Sequence, residues 1–243
     1  MDLSQKSKMR SNKYLVSAQK MASANVKRVI YVVQHSKKIT ETEAIEYVRD
    51  FLINMKNTYT LTNESKFEDP IEGKYVMHYD KFDTNFANLI RRLMLSDIKT
   101  LAICNVQMLK NTSMYDDVLI ADRLCMCPVI VRPSEESHMK YTITMNNSTE
   151  YSTNVLTDHI MQQNDGLFIT KNICVCTLLK KQEISITFYI MEGIGRESAI
   201  HTPVAAVRYV FKNDAISVAF ELSGHMHAKC VVDAAIDVAI NNI

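Results

Sequence analysis

An almost wholly apolar helical segment, NFANLIRRLMLSDIKTLAI at residues 85–103, limits how this chain can fold. Apolar side chains recur there at steps of three and four residues, the period of one helix face. They are Phe86, Leu89, Ile90, Leu93, Met94 and Ile98. Asp83 precedes the segment as an N-cap, and the only charges between Asn85 and Ser96 are Arg91 and Arg92, which point about 100° apart on a helix. A helix with so little polar surface predicts a second packing partner.

The closing helix, predicted at about residues 227–241, has the same character. Its apolar positions are Val231, Val232, Ala235, Ile236, Val238, Ala239 and Ile240. Asp233 and Asp237 form its one acidic stripe. One buried face does not use this many apolar side chains, so two such helices predict assembly with another subunit.

The remaining segments predict further helices and strands. Thr40 and Glu43 have capping-box spacing, which starts a helix that runs to about residue 56. Residues 12–35 fit a helix at first and a β-branched strand later, and residues 57–72 are typical of a polar connector. The predicted strands are 75–79, 100–109, 183–191, 203–211 and 215–222, of which the last two form a hairpin.

Charge is distributed unevenly along the chain. The net charge is only +1, which argues against attraction of the whole molecule to nucleic acid, yet residues 1–40 hold nine basic side chains against the single acid Asp2. A basic segment without interleaved aromatic residues is typical of a solvated or partner-bound tail. A nucleic-acid-binding regulator that acts through this segment is the alternative.

Membrane and secretory signals are not evident in the sequence. No apolar run reaches the roughly 20 residues of a membrane span, and the N-terminus lacks the apolar core of a secretory signal. We therefore expect an intracellular protein, in the cytoplasm or the nucleus, whose six cysteines are reduced.

Two Cys-x-Cys pairs raise the alternative of a metal- or redox-binding protein. They are Cys125 with Cys127 and Cys174 with Cys176. Zinc ligands are usually spaced by two to four residues, whereas Cys-x-Cys on a strand points both side chains to one face, as core residues do. We therefore predict buried structural cysteines and no metal.

Two further segments have bland and functional interpretations. His225, His227 and Cys230 lie close together but lack an evident fourth metal ligand, so they predict a helix N-terminus preceded by exposed histidines. The loop EGIGRES, residues 192–198, lacks the lysine of a phosphate loop and predicts a sharp bend with Arg196 and Glu197 at its tip. We find no nucleophile–base pair and no acidic magnesium cluster, so the chain is not predicted to be a catalyst.

Three segments, in order, carry a likeness to a known family. They are NFANLIRRLMLSDIKTLAICNVQM, NTSMYDDVLIADRLCMCPV and EGIGRESAIHTPVAAVRY. They resemble the N-A-L-R-R helix with its PTLAI strand, NTSVLHDEVLAHRLGLIPL and KGIGKEHAKWSPVA of the assembly subunits of multisubunit DNA-directed RNA polymerase. This family comprises bacterial alpha, its archaeal counterpart and the third-largest eukaryotic subunit. The matching positions are Asn88, Arg91, Arg92, Asn111, Thr112, Ser113, Asp116, Arg123, Leu124, Pro128, Gly193, Gly195, Arg196, Ala199, Pro203, Val204 and Ala205.

The resemblance, which covers about residues 72–243, implies a non-catalytic subunit. Such a subunit pairs with a smaller alpha-like partner, or with itself, and scaffolds assembly of the two large subunits. The residues implied at the large-subunit interface are Asn88, Arg91, Arg92, Arg123, Arg196 and Glu197. Those implied in dimerisation are Phe86, Leu89, Ile90, Leu93, Val232, Ala235, Ile236 and Ala239. The other implied partners are small polymerase subunits and, only indirectly, DNA; this chain binds no cofactor, and the magnesium belongs to the catalytic subunit.

The sequence also departs from the family pattern. Asp122, Cys125, Ser198 and His201 replace the family's histidine, glycine, histidine and tryptophan. The insert at residues 129–172 is short and lacks the cysteine cluster that many members carry, and we expect no DNA-binding domain of the bacterial type after the last helix. A compact and divergent member of this kind suggests a large DNA virus or a plasmid as its source. If the source is a virus, we expect the protein in the virion too.

We therefore predict an α+β protein with an alpha-subunit-like dimerisation domain. Residues 1–71 are predicted as a partly helical N-terminal extension. Residues 72–104 and 205–243 are predicted to form the dimerisation domain, which is interrupted by an inserted, mainly β domain at residues 105–204.

Overall fold

The computed structural model describes residues 23–65, 72–131, 140–160, 167–170, 172–212 and 215–243. The helices are α1 (23–37), α2 (Glu41–Thr58), α3 (Thr84–Ser96), α4 (Asp117–Cys125) and α5 (Ala228–Asn241). The strands are β1 (Thr60–Asn63), β2 (Glu72–His78), β3 (Lys99–Asn111), β4 (Val129–Val131), β5 (Lys140–Asn146), β6 (Thr153–Leu156), β7 (Leu167–Ile169), β8 (Cys174–Leu178), β9 (Glu183–Ile194), β10 (Val204–Lys212) and β11 (Ala215–Ser223). The fold is α+β, as predicted. None of the helices within these residues is long and apolar enough to cross a membrane.

The chain divides into two compact units. The first takes in the described residues up to Ile98 together with Ile194–Ile243, and the second is Lys99–Gly193. The insert was predicted at residues 105–204, between 72–104 and 205–243, and both of its junctions lie earlier in the chain than predicted. The reason at the first junction is that β3 begins at Lys99 and pairs with β9, so the whole strand belongs to the insert.

The sheet of the first unit is antiparallel, in the order β1-β2-β11-β10. The predicted hairpin is confirmed, since Lys212 pairs with Ala215 and Val204 with Leu222. The predicted polar connector is wrong at residues 60–63, which form the edge strand β1. Side-chain hydrogen bonds also link this strand to the sheet. His78 of β2 bonds through Nε2 to Thr62 Oγ1 of β1 at 3.0 Å and through Nδ1 to Ser217 Oγ of β11 at 2.9 Å.

Both predicted helix starts are confirmed. The backbone N–H of Thr40 donates to the Glu43 carboxylate at 2.8 Å, and the N–H of Glu43 donates to Thr40 Oγ1 at 3.3 Å, which completes the capping box of α2. Asp83 accepts the N–H of Phe86 at 2.8 Å and starts α3. Residues 23–37, whose sequence fits both helix and strand, form the helix α1.

Helix α3 is buried between elements of its own unit. Strands β10 and β11 and helix α5 contact it, and α2 places the ring of Phe51 on that of Phe86, with centroids 3.9 Å apart. Helix α1 adds Val26, Val29 and Ile30 to the same core. The apolar surface of α3 is therefore covered within the chain, which corrects the inference that it needs a second subunit as its cover. The predicted extension at residues 1–71 is accordingly, in its described part, a component of this unit.

The second unit is built mainly of strands. Its largest sheet has the order β3-β9-β5, and β4-β7 and β6-β8 form two-stranded sheets. The alternation predicted along β9 is confirmed, because Ile184, Ile186, Phe188 and Ile190 are all buried. Helix α4 contributes Ile120 and Leu124 to the core of this unit.

Gly195 lies where the chain returns to the first unit. The backbone N–H of the next residue, Arg196, donates to the carbonyl of Ser96 at 3.1 Å, which brings the loop against the end of α3. A Cβ atom on Gly195 would stand 2.3 Å from the carbonyl oxygen of Leu95 and 2.7 Å from Thr202 Oγ1. The first of these is a backbone atom at a helix end, so the loop cannot approach α3 this closely with any other residue.

We expect Gly195→Ala to lower the free energy of unfolding of the first unit by about 1–3 kcal/mol, because the new methyl group forces the loop away from α3. Thermal unfolding followed by circular dichroism measures this change. Ser198→Ala, an exposed substitution in the same loop, is the control and should change stability by less than about 0.5 kcal/mol. Equal stability of the two variants would contradict the close approach.

Candidate functional site

Arg91 is held in a fixed orientation on α3. Its Nε and Nη2 donate to Asn88 Oδ1 at 3.2 and 2.9 Å, a pairing of residues three apart on one helix face. Asn88 and Arg91 are both half-buried. Neither Arg91 nor Arg92 takes part in an ion pair with any residue that the structure describes. The outer edge of the Arg91 guanidinium therefore keeps N–H donors for another molecule.

Arg92 is exposed and lines a shallow pocket between α1 and α3. Asn25, Arg28 and Asn85 line the same pocket. Arg28 thus lies at the same surface as Arg92. This position was not predicted, because Arg28 was read only as part of a basic tail. Val29 and Ile30 face the core, so the helical period of α1 places Arg28 on the outer side of this helix.

The segment Asn111–Asp117 has an architectural role in the second unit. Asn111 Oδ1 accepts the N–H and the hydroxyl of Ser113 at 2.9 and 2.7 Å, while its amide donates to the carbonyl of Tyr115 at 2.9 Å. Thr112 exchanges hydrogen bonds with the backbone of Glu183 at the start of β9. These contacts fix the loop that leads into α4.

Helix α4 and the residues next to it in the chain present exposed apolar side chains, which we call the α4 face. Met114, Val118 and Met126 are 71%, 71% and 67% exposed, and Leu119 is also exposed. Arg123 follows Leu119 by four residues on the same helix. Its guanidinium carbon lies 5.5 Å from the ring centroid of Tyr115, and its Nη1 lies 3.4 Å from the carbonyl oxygen of Val175. Apolar side chains clustered around one oriented charge are typical of a protein-binding surface.

Arg196 is engaged inside the first unit rather than presented at a loop tip. Its Nη2 lies 2.7 Å from each carboxylate oxygen of Asp97, the C-cap of α3, and 3.4 Å from Ser96 Oγ. Asp97 is buried, and the Arg196 side chain is only 20% exposed. Of the two residues predicted at the tip, only Glu197 is exposed. Their contact with a large subunit stays a prediction, and for Arg196 it would involve a guanidinium that already has a partner.

The eight residues implied in dimerisation are core residues of the first unit. Phe86, Leu89, Ile90, Leu93, Val232, Ala235, Ile236 and Ala239 are each at most 3% exposed. They lie on α3 and α5 and are covered within this chain. Their role in dimerisation stays a prediction.

The cysteines of the two Cys-x-Cys pairs differ from one another in setting. Cys127 and Cys176 are buried, Cys125 is half-buried and Cys174 is exposed. The expectation that each pair points to one face of a strand is wrong. Cys125 ends α4, and a register shift opposite β8, between Val155 and Leu156, separates Cys174 from Cys176. In the described part of the chain, no three residues among His, Cys, Asp and Glu converge as metal ligands.

The histidines before α5 have structural surroundings. His225 is half-buried, which contradicts the prediction that it is exposed, and its Nδ1 lies 3.1 Å from Ser223 Oγ. Burial lowers the pKa of this imidazole. His227 is exposed and is the N-cap residue of α5. Much of the basic N-terminal stretch, including Lys6, Lys8, Arg10, Lys13 and Lys20, lies outside the described residues.

The described surfaces carry an oriented arginine on α3 and exposed apolar side chains on and beside α4, features that are typical of protein-binding surfaces. The chain belongs to the RNA polymerase Rpb3/Rpb11 dimerisation-domain family, whose model matches residues 76–243. The resemblance drawn from the three sequence segments is therefore confirmed.

Named relatives agree with this family. DNA-directed RNA polymerase subunit Rpo3 of Methanocaldococcus jannaschii is 31% identical over 161 residues, which cover 66% of this chain and 82% of that protein. Subunit Rpo3 of Thermococcus kodakarensis is 30% identical over 128 residues, 50% of this chain and 49% of the relative. Subunit 3B of DNA-directed RNA polymerases IV and V of Arabidopsis thaliana is 24% identical over 166 residues, with coverage of 55% and 52%.

We expect Cys174 and Cys230 to react first with iodoacetamide at pH 8, because both are exposed. Burial raises the pKa of Cys104, Cys127 and Cys176 to about 11 each, so at pH 8 their thiolate fractions are small. Their alkylation should be slower by roughly 100-fold or more, which peptide mass spectrometry over time measures. Protection of Cys125, Cys127, Cys174 and Cys176 together, relieved by a chelator, would instead support a metal site.

Proposed function

We propose that this chain is the non-catalytic assembly subunit of a DNA-directed RNA polymerase. It pairs with a smaller alpha-like subunit and scaffolds the two large catalytic subunits, with small polymerase subunits as further neighbours and DNA reached only indirectly. The observation that carries this proposal is Arg91 on α3, which Asn88 orients and which lacks an acidic partner among the described residues. It stands in a chain whose family is that of polymerase subunits.

The chemistry of this arginine suits an assembly contact. A guanidinium offers five donors in a planar fork, and Asn88 occupies only the Nε and Nη2 edge. The remaining donors fit a carboxylate or a row of backbone carbonyls on the surface of a large subunit. Arg92, on the neighbouring part of the helix surface, adds a second, exposed positive charge.

The apolar face of α4 supplies a second contact with a large subunit. A single exposed apolar side chain is common on a protein surface. Met114, Val118 and Met126 are three, and association would remove their apolar area from water, which is favourable. Arg123 is on the same helix, with its guanidinium carbon over the ring of Tyr115, and its exposed side chain can meet an acidic group of a partner. This is the role that the family resemblance implies for Arg123.

The chain itself brings neither metal nor cofactor to the polymerase in this proposal. Its cysteines are packing residues or isolated surface thiols, and the magnesium that phosphoryl transfer needs is held by the catalytic subunit. The protein acts wherever that polymerase transcribes, in the cytoplasm or the nucleus, and a viral origin stays a prediction.

We expect the double variant Arg91→Ala/Arg92→Ala to fold normally and to lose binding to the large subunits by about 2–5 kcal/mol, the usual effect of truncating desolvated interfacial arginines. Tagged protein, purified gently from its own source and examined by native mass spectrometry, measures this through the co-purified large subunits.

The matched control is Arg49→Ala/Arg208→Ala, which removes two exposed arginines from α2 and β10 and should assemble as the wild type does. Arg91→Lys/Arg92→Lys keeps the charge but not the fork, and we expect it to assemble poorly. Normal assembly of the alanine double variant would show that this pair is not the docking site.

A separate variant tests the second contact. Val118→Glu with Leu119→Glu places two charges on the exposed face of α4 and should weaken recovery of a large subunit by at least about tenfold, while leaving the free chain folded because neither position is buried. Tyr151→Glu with Leu179→Glu adds the same charge at exposed apolar positions elsewhere in the same unit. If both pairs reduce recovery equally, the α4 face is not a specific contact.

A further inference from the structure

Two helices that precede the matched dimerisation domain in the sequence, α1 and α2, pack against its helices. The family model begins at residue 76, whereas α1 and α2 occupy residues 23–37 and 41–58. Both helices contribute buried side chains to the same hydrophobic core as α3 and α5. The helices of a dimerisation domain are therefore packed here against a helical pair that is additional to that domain.

The apolar part of this contact is extensive. Val48, Leu52 and Met55 of α2 are fully buried, and Phe51 lies between Phe86 of α3 and Tyr79, stacked on the first at 3.9 Å and edge-on to the second at 5.4 Å. Val26 of α1 is fully buried as well. Helix α2 thus buries a continuous stripe of side chains with helical spacing, as a partner helix does in an interface.

The polar part of the contact gives it a fixed register. Lys56, in the last turn of α2, forms an ion pair with Asp237, and Tyr59 donates its hydroxyl to Asp233 Oδ1 at 2.9 Å. These two acids are the whole acidic stripe of α5. Burial, and next the neighbouring Asp233 carboxylate, raise the pKa of Tyr59, so the phenol keeps its proton and can donate at any physiological pH.

We propose that α1 and α2 act as an intramolecular partner, which occupies the α3–α5 helix face of the dimerisation domain in the free chain. A second subunit reaches that face only in exchange for α1 and α2. The occupant of this face in the free chain is residues 23–59, which include the Tyr59 donor. A partner that can replace it is a helical segment with an apolar stripe and donors for Asp233 and Asp237. This inference rests on the proposed function, in which the chain pairs with a second subunit, and it adds how that pairing is controlled.

The covalent connection favours this intramolecular state. Residues joined by a short linker meet at an effective concentration on the order of millimolar, so a free subunit at lower concentration does not compete unless it makes better contacts. A free chain with α1 and α2 in place is therefore expected to be monomeric through this face. Only a partner that binds the α3–α5 face more tightly than α1 and α2 do can then pair with this chain.

The first test uses the wild-type full chain alone. Native-state hydrogen exchange should show the amides of α1 and α2 opening together at low denaturant, while α3, α5 and the strands β2, β10 and β11 stay protected. Native mass spectrometry of the same sample should show a monomer. If α1 and α2 exchange only when the sheet does, they are an inseparable part of the core and the inference is overturned.

The second test releases the cover. Val48→Asp/Leu52→Asp changes two fully buried positions of α2, outside the matched domain. We expect at least about a 100-fold loss of amide protection in α1 and α2, since buried unpaired carboxylates oppose packing, together with a concentration-dependent dimer that keeps α3 and α5 protected. The control Ile53→Asp/Asn54→Asp adds the same charge at exposed positions of the same helix and should stay monomeric.

The outcomes separate the alternatives. A dimer in the Val48→Asp/Leu52→Asp variant alone supports the inference, whereas a folded monomer, or loss of protection throughout the sheet, overturns it. Neither experiment involves a large subunit. Failure here therefore leaves the proposed docking of Arg91 and Arg92 untouched, and failure of that docking leaves this inference in place.

Discussion

The two-sided burial of helix α3 is the constraint on which the first unit depends. One side faces β10 and β11, and α2 packs at Phe86, so Leu89, Ile90 and Leu93 are all but inaccessible to water. Each such side chain stabilises the fold by about 1.5–3 kcal/mol relative to leaving it in water. The helix ends on Asp97, and the pairing of this buried carboxylate with Arg196 fixes the loop by which the chain returns from the second unit.

Local rules explain why much of this fold could be predicted from the sequence. Asp83, Thr40 and Glu43 act within three residues along the chain, and the alternation in β9 reflects a period that any buried sheet face imposes. Their consequences do not depend on the rest of the molecule. The same holds for the hairpin of β10 and β11, whose strands are adjacent in sequence.

The errors arose where a residue's partner is distant in sequence. The hydrophobic effect is non-directional, so an apolar stripe on α3 does not reveal whether α1 and α2 of the same chain or another subunit will cover it. Arg196 reaches Asp97 across 99 residues of sequence, which no local pattern encodes. Cys174 and Cys176 were placed on one face by the period of a regular strand, and one shift of register was enough to separate them.

The motifs that reveal the family divide into architecture and contact. Gly195 allows a close backbone approach, and Asn111, Thr112 and Ser113 build the loop before α4, so these residues act within the chain. Arg91, Arg92 and Arg123 are the motif residues whose charges lack an acidic partner in the described regions. Sequence likeness alone treats both groups equally, and only their surroundings distinguish them.

The split of the first unit also has a consequence for how the protein is made. Strand β2 pairs with β11, and the hydrogen bond between His78 and Ser217 joins residues 139 positions apart. A ribosome that adds about 5–20 residues per second needs about 7–28 s to cover that distance. During this interval α2 and β2, and then α3, emerge without the strands and the helix α5 that complete their core, while the contiguous insert is free to fold. Nascent chains thus spend that time with an unfinished apolar surface, which makes them clients for chaperones that act on the ribosome.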